Sequence, residues 1–558
     1  MKNKRKLVGS VFSTAMALSL VVGCASNNET KAPNEPAKDG NNKVEETAEA
    51  PKLYELGKEQ LDITLFGNYA WYAATPKWGS EEITKYVQDT KKVTITEVPN
   101  GGNNVQKLNT MIASGELPDV IWGERGTDVE RLREAGLLVP LDDYIDKYPN
   151  LKKWLDPMAA NMLRSPDGKL YTFPNWYSNR PYGNAGWVVN KKIYNELGAP
   201  KLETTDDLYA YLKLVKDKYP KVVPFESDLA AEGQGIDQIF SAFKENNLSF
   251  TRFYAVPEGD KMVSIYKDQG FRESVVYAAK LFREKLMTQD AMTQTRDQVQ
   301  EKLNNGKVAV YATSNPTVYA MQADAELRKT DPEAGYIMIM PIYKEGLDPS
   351  KIFPGTFNKL GWNSAVITTS AKDPEAVFAF LDYWTSPEAM TLQMFGLEGE
   401  DGYWNGLEAD GVTPKFTEKV KTDPAGLTKL QGKMDPLMWV GNTVFVDDLK
   451  AEIQKTLAES ERNWATYWQS EITWKTQGDA TEFIDLLPNP ETEEGIAFQR
   501  AKDIWLKVRA QTLYAKSDEE ALAMLDKAHD DSMSAGFDKV LVKLAEKWHK
   551  NQEIMKGK

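Results

Sequence analysis

From Leu61 the chain reads Leu61-Asp62-Ile63-Thr64-Leu65-Phe66-Gly67, apolar and polar positions largely alternating up to a glycine, the period of a half-buried strand. A helix is predicted from about Glu81 to Thr90, a second strand over Val93–Val98, and a helix over Val105–Ser114. In that helix Val105, Leu108, Met111 and Ile112 recur at helical spacing and Gly115 stops it; Asp119-Val120-Ile121-Trp122 then reads as a third strand. Strand–helix–strand–helix–strand implies parallel strands joined by right-handed crossovers, an α/β sheet. Further on, Asp373 caps a predicted helix running to Trp384. Pro374 is at its first position, Glu375 adds early negative charge, and Val377, Phe380, Leu381 and Trp384 share one face. Past Asp447 the pattern is helical, over Leu449–Trp468, Ile496–Tyr514, Asp518–Ala528 and Gly536–Lys550, and no repeat of 20–50 residues is visible.

The N-terminus follows another logic. Lys2, Lys4, Arg5 and Lys6 precede an apolar stretch from Leu7 to Val22, too short to span a bilayer comfortably, ending in Val21-Val22-Gly23-Cys24. That layout resembles the lipobox of bacterial lipoproteins. The resemblance implies that residues 1–23 are a signal peptide and that Cys24, the single cysteine of the chain, is acylated. Two or more acyl chains hold a protein to a membrane stably where one does not. Residues 24–57 are rich in Asn, Glu, Lys, Pro and Ala, cannot bury enough surface to fold, and read as a flexible linker, with order beginning near Lys58.

Composition narrows the classes. With one cysteine no intramolecular disulfide forms, so stability rests on an ordinary hydrophobic core. A net charge of −14 without a basic stripe argues against nucleic acid as a partner. No apolar run after Cys24 is long enough to cross a membrane. The aromatic content stands out, with 15 Trp and 24 Tyr, side chains that combine a flat apolar face with a polar tip and suit partly wet binding surfaces.

Several segments, in order, carry a family resemblance. Met111-Ile112-Ala113-Ser114-Gly115-Glu116-Leu117-Pro118-Asp119-Val120-Ile121 is similar to the "aSGdlPDv" segment of extracellular solute-binding proteins of carbohydrate ABC importers. Gly136–Tyr144 resembles the turn and helix that follow, Asp167–Pro174 the "dGKiYgiP" strand entering the hinge, and Trp187–Tyr194 the strand after it. Leu303–Val310 resembles "f-x-x-G-K-a-a-m", and Asp373–Trp384 with Ser386-Pro387-Glu388-Ala389 resembles the later helix pair. The match departs at Thr204-Thr205-Asp206-Asp207, where Pro-Lys and a Glu are usual. It covers about residues 60–400 and most resembles the large Gram-positive lipoprotein subgroup. The resemblance implies a periplasmic-binding-protein-like α/β fold: two lobes, a hinge and an interlobe cleft, with extra helices at the C-terminus. Lobe 1 would comprise 58–172 continued by 362–430, and lobe 2 would comprise 173–361 continued by 431–558. The chain would cross between them near Tyr171–Pro174 and again near Gly361. A carbohydrate ligand, ABC permease subunits, a membrane reached through Cys24 and a monomeric state are implied; no cofactor is.

An open α/β sheet exposes its ligand site at the carboxyl ends of its strands. Sugars present flat C–H faces and rings of hydroxyls, so aromatic platforms and planar hydrogen-bonding groups recognise them. Asn68, Tyr69 and Trp71 follow the first strand, Trp122, Glu124 and Arg125 end or follow the third, and Asn175, Trp176 and Tyr177 follow the hinge strand. Asn315, Trp362 with Asn363, and Trp404 in a Gly-rich loop complete the candidates. Ligand contacts are expected from Asn68, Trp71, Trp122, Glu124, Arg125, Asn175, Trp176, Tyr177, Asn315, Trp362 and Trp404. Trp154, Trp384, Trp468, Trp474, Trp505 and Trp548, most of them in predicted helices, are expected to pack.

Competing chemistry has less to draw on. His529 and His549 are the only histidines, both in polar helical contexts, so a His-based triad or zinc site has little support. HExxH, CxxC, GxxxxGK[ST] and GxGxxG motifs are absent. The Ser165–Lys169 turn lacks the alternating ligands of a calcium loop, and no metal is expected. A glycosidase needs only two carboxylates, for which Glu124, Asp128, Asp167, Glu226 and Asp228 are candidates; each also reads as a surface charge, a cap or an acceptor for sugar hydroxyls. A secreted hydrolase and a non-transport surface sugar-binding protein remain the alternatives to a receptor.

Overall fold

The computed structural model describes residues 53–72, 77–177, 183–227 and 234–557. The signal peptide, Cys24, Asp228 and nearly all of the linker lie outside the described residues. Two mixed sheets organise the chain. The first contains β1 (Leu61–Gly67), β2 (Val93–Glu97), β3 (Val120–Gly123), β4 (Thr172–Tyr177), β12 (Asn363–Ile367) and β15 (Gly441–Asn442), in the order β15-β4-β12-β3-β1-β2. β1 runs parallel to both β2 and β3, as the alternating strands and intervening helices predict, while β12 lies antiparallel between β3 and β4. The second sheet contains β5 (Gly186–Asn190), β6 (Val223–Glu226), β9 (Val308–Thr313) and β10 (Tyr336–Ile339), in the order β10-β5-β9-β6. Three two-stranded ribbons complete the set: β7 (Ala255–Glu258) with β8 (Lys261–Ser264), β11 (Gly355–Phe357) with β16 (Gln477–Asp479), and β13 (Trp404–Leu407) with β14 (Pro414–Phe416).

Local chemistry accounts for the early helices. Asn103 accepts the amide of Gln106 to open the helix Asn104–Ser114, and Gly115 closes it at φ +72°, where a side chain would be strained. Asp373 caps Pro374–Trp384 as expected, but this helix is buried from Ala376 to Trp384, not along one face. Polar groups carried inside must then be satisfied. The Trp384 indole donates to Leu437 O at 3.0 Å, and Asp382 accepts the amides of Asn150 (3.1 Å) and Leu151 (2.7 Å) and the Asn150 side chain (2.8 Å). Asp382 thus anchors the start of the helix Pro149–Trp154, while its burial pushes its carboxyl pKa up against those three donors.

The second half departs from expectation in two places. Residues 449–468 form two helices, Thr443–Thr456 and Trp464–Glu471. Asn463 interrupts the run by capping Thr466, and its own amide is taken by Gln454 at 2.6 Å. Within residues 431–457, expected with the second lobe, Gly441–Asn442 pairs into the first sheet. Trp439 and Val440 enter its core, β15 pairs with β4, and Val446, Leu449, Ile453 and Leu457 pack with Met390, Met394 and Phe395. The chain reaches the second sheet from Glu459, which pairs with Lys191 at 2.7 Å, and at Trp464, whose indole donates to Tyr336 O at 2.7 Å. At the other crossing, β4 stays wholly in the first sheet and β5 opens the second, so the crossing follows residue 177, later than Tyr171–Pro174. The C-terminal helices, Glu493–Leu513, Asp518–Ser534 and Phe537–Met555, form a separate core with the β7–β8 hairpin around Tyr254, Tyr266, Phe271, Trp505 and Trp548. Trp384, Trp505 and Trp548 are packing residues, as their helical positions predict.

Replacing Asp382 with Ala leaves one buried and two part-buried N–H donors without an acceptor, and we expect it to lower the unfolding free energy by about 2–4 kcal/mol, with Asp382→Asn losing less. Urea unfolding followed by tryptophan fluorescence measures this; equal losses in the two variants would remove the acceptor role.

Candidate ligand-binding site

Five aromatic rings meet where β1, β3 and β12 converge. The amide of Asn68, just past β1, donates to Trp122 O at 2.8 Å, which brings the loop after β1 over the end of β3. Trp122 faces the other rings edge-on, 5.0 Å from Tyr69, 5.2 Å from Tyr72, 5.9 Å from Trp71 and 6.4 Å from Trp362 between centroids. Trp71 and Trp362 instead lie nearly parallel, 6.2 Å apart with 16° between planes, and Tyr69 lies 5.9 Å from Trp362. Edge-to-face and offset pairs suit the ring quadrupoles and contribute about 0.5–1.5 kcal/mol each beyond area burial. Burial divides the group. Trp122 is 3% exposed, whereas Trp71 and Trp362 are 59% and 48% exposed, the largest accessible indole surfaces among the described residues.

The buried side of the cluster is pinned by polar contacts. The Asn363 side-chain oxygen accepts the Trp122 indole N–H at 3.0 Å and the Asn175 amide nitrogen at 2.9 Å, and that same nitrogen donates to Met438 O at 2.9 Å. Asn175 O accepts the amide of Trp362, so β4 sets the height at which that exposed ring emerges. Tyr72, absent from the expected contacts, donates to Glu97 at 3.0 Å and receives the Trp439 indole at 3.3 Å. Burial, reinforced by the Glu124 carboxylate, pushes the Tyr69 hydroxyl pKa up, so it remains a donor at any physiological pH. Glu124 is exposed; Arg125 is half-buried, and desolvation pushes its guanidinium pKa down against the pull of Asp485, Glu124 and Tyr69.

The other expected contacts separate into groups. Asn68 is occupied internally: its Nδ2 donates to Asp128 at 3.0 Å and its Oδ1 accepts from Asn104 at 2.8 Å. Asn175 is fully buried and acts on its neighbours. Trp176 adopts φ +54°, a conformation unfavourable for a bulky residue, and is half-buried against the Met390–Leu457 cluster with the Lys450 ammonium 5.9 Å from its ring. Tyr177 closes β4, but its side chain lies outside the described residues. Asn315 lies just past β9 in the second sheet, before the helix Pro316–Arg328, and accepts the Thr317 hydroxyl at 2.9 Å. Trp404 lies inside. It is 8% exposed, packed with Tyr403, Val420 and Leu427, and its indole donates to Gly396 O at 2.9 Å, so this loop tryptophan is core.

Three of the five carboxylates nominated for hydrolysis are engaged with other groups of the chain. Glu226 is buried, accepting Gln294 at 2.7 Å with Lys302 3.6 Å away. Asp128 pairs with Arg131 at 3.1 Å, and Asp167 accepts the Lys169 amide and the Tyr171 hydroxyl. His529 lies in the helix Asp518–Ser534 and His549 against Trp548, both within the C-terminal helices. Among the described residues no three His, Cys, Asp or Glu side chains gather in a metal-holding group.

The sequence profile of the bacterial extracellular solute-binding protein family matches residues 69–391, more than half of the chain, and the protein belongs to that family. It is similar to the fructooligosaccharide ABC transporter substrate-binding protein FusA of Streptococcus pneumoniae, with 27% identity over 327 residues, covering 55% of this chain and 57% of FusA. It is also similar to the polygalacturonan/rhamnogalacturonan-binding protein YtcQ of Bacillus subtilis, with 23% identity over 331 residues, covering 56% of this chain and 62% of YtcQ. The chain therefore spans about three fifths of the length of these curated relatives. The crystal structure of the alginate-binding protein AlgQ2 without calcium ion superposes with a TM-score of 0.61 at 17% identity, over 89% of this chain and all of that one. That likeness confirms the periplasmic-binding-protein-like α/β fold with added C-terminal helices.

Trp71 and Trp362 are the pair whose near-parallel rings are open to solvent, so Trp362→Ala should change only part of the near-ultraviolet circular dichroism, the buried Trp78–Trp384–Trp439 group keeping its share. It should shift the unfolding free energy by no more than about 1.5 kcal/mol. Asn363→Ala, which strands two buried donors, should cost about 1–3 kcal/mol in the same unfolding assay. The reverse ranking would mean that the polar junction does not hold the cluster.

Proposed function

We propose that this protein is the extracytoplasmic receptor of an ABC importer, capturing an oligosaccharide between two lobes and presenting it to a membrane permease. The observation that carries this reading is the exposed Trp71–Trp362 pair on a rigid base, with Glu124, Arg125 and the Tyr69 hydroxyl beside it. Two flat apolar faces with planar polar groups at their edge match the C–H faces and hydroxyls of pyranose or furanose rings. The names of FusA and YtcQ, both carbohydrate-binding proteins, support the same ligand class. In this reading the first sheet forms one lobe and the second sheet, with the C-terminal helices, the other. Asn315 approaches the ligand from the second lobe, and Trp122, Asn175 and Asn363 position the platform. Ligand favours the closed arrangement only by its differential affinity for it. No catalytic step is assigned: Glu226, Asp128 and Asp167 are held in internal contacts, and Glu124 serves as an acceptor for sugar hydroxyls. The protein acts as a monomer, held at the outer face of the cell membrane through acylated Cys24.

Thermal unfolding of the detergent-solubilised protein against mono- and oligosaccharides, with product analysis of each mixture, tests this. A sugar at 100 times its dissociation constant should stabilise the protein by about 2.7 kcal/mol and be recovered intact. Trp71→Ala should weaken that sugar by about tenfold or more. Recovery of cleaved sugar would replace the receptor by a hydrolase. Cys24→Ala should move the protein from the membrane fraction to the medium; an unchanged membrane fraction would remove the lipid anchor.

A further inference from the structure

Two passages of the chain between the sheets are tied to each other at both ends. At the first sheet, β4 and β12 pair at Asn175 and Asn363, and the Trp362 amide donates to Asn175 O at 3.0 Å. At the second sheet the tie is one side chain, Gln477 of β16. Its Nε2 donates to Ala185 O at 3.1 Å, just ahead of β5, while β16 pairs with β11, which leads into the second passage. The carboxamide occupies a notch that two glycines leave open. A Cβ at Gly183 would lie 2.6 Å from Gln477 Oε1, and one at Gly355 would strike both that oxygen and the Ala185 Cβ. The two passages therefore touch at Gly355 and Ala185, with Gln477 against both. The Gln477 side chain is buried, and its Oε1 has no hydrogen-bond partner among the described residues. A buried acceptor left unmet costs stability, so its retention calls for another reason.

Neighbouring contacts extend the tie along the second passage. The Ala480 amide donates to Phe357 O at 2.9 Å, the Lys359 amide donates to Thr481 Oγ1 at 3.0 Å, and Lys359 Nζ lies 3.4 Å from Asp479. Only Leu360 and Gly361, the latter at φ +80°, separate these ties from Trp362 on the platform. Gln469, on the helix that follows the third passage, donates to Asn184 Oδ1 at 2.6 Å. Two strands joined at both ends cannot turn independently, and a side chain wedged against both must shift when either does. We propose that Gln477 is the positioning residue of the hinge: by tying the second-sheet ends of two passages it fixes the angle at which Asn315 and the Trp71–Trp362 platform face one another. This rests on the two-lobe receptor reading above and deepens it. Gln477 acts on the sugar through the two passages.

Double electron–electron resonance between spin labels at Val105→Cys and Val318→Cys tests this on the full-length chain, with Cys24→Ala so that no other thiol is labelled. Both positions are exposed, one on the helix Asn104–Ser114 beside the first sheet and one on the helix Pro316–Arg328 beside the second. Gln477→Met keeps the length of the side chain and removes its polar atoms. In the sugar-free protein it should broaden the label-to-label distance distribution by about half or more. Gly183→Ala drives a Cβ against Gln477 Oε1 and should reproduce the broadening, and the two substitutions together should add nothing further. Addition of the mono- and oligosaccharides of the thermal panel should narrow the native distribution with at least one sugar. With Gln477→Met the concentration of that sugar needed should rise about threefold or more, because less of the protein is in the binding-competent arrangement. Unchanged sugar-free distributions, or a broadening that the two variants do not share, overturn the hinge role, even where the unfolding free energy falls. If Gln477→Met fails to fold, Gly183→Ala decides. A native distribution that no sugar alters overturns the receptor reading, while the sugar-free distributions still decide the role of Gln477.

Discussion

The side-chain oxygen of Asn363 receives two buried donors, the Trp122 indole at 3.0 Å and the Asn175 carboxamide at 2.9 Å, and the arrangement of the site follows from that junction. Buried donors need acceptors, and here one acceptor serves residues from β3 and β4 while sitting on β12 between them. With its N–H committed inward, Trp122 turns its edge and face to the loop rings. Tyr69, Tyr72, Trp71 and Trp362 are then built outward from a ring that cannot rotate. The outermost pair keeps large apolar faces in water. Apolar area left exposed forgoes about 25 cal/mol per Å² of burial, and a ligand that covers it recovers that free energy.

The segment Phe483–Leu487 is held through its backbone: Lys547 donates to the main-chain oxygens of Asp485 and Leu487, and Arg252 donates to Phe483 O. Each cation comes from a different part of the chain, and the first-sheet core and the C-terminal helices both hold the segment they share.

Much of the first sheet was legible because its signals are local. The alternation at Leu61–Gly67 and the stop at Gly115 act within a few residues, and the structure realises both. The helix Pro374–Trp384 was legible in its cap and bounds but not in its burial, since a second layer containing Trp439 covers the face that periodicity leaves open. Residues 449–468 read as one helix because the Asn463 cap competes weakly against a continuous apolar pattern. At the site, Trp71, Trp122 and Trp362 do come together, while Trp404 does not join them. Residue type and a Gly-rich loop cannot report that Gly396 O will take its indole. Tyr72 and Gln477 carried no motif, and sequence distance hid them.

By itself the sequence determined the strand and helix periods, their caps and stops, the α/β class and the aromatic supply at strand ends, all set by interactions between residues close along the chain. The tertiary structure alone decided which tryptophans became platform and which became core. It also decided that β15 joins the first sheet, and that Lys547 meets the Asp485 main chain. Those outcomes depend on packing and hydrogen bonding between residues tens to hundreds of positions apart, where burial is a property of the assembled layers and not of any one segment.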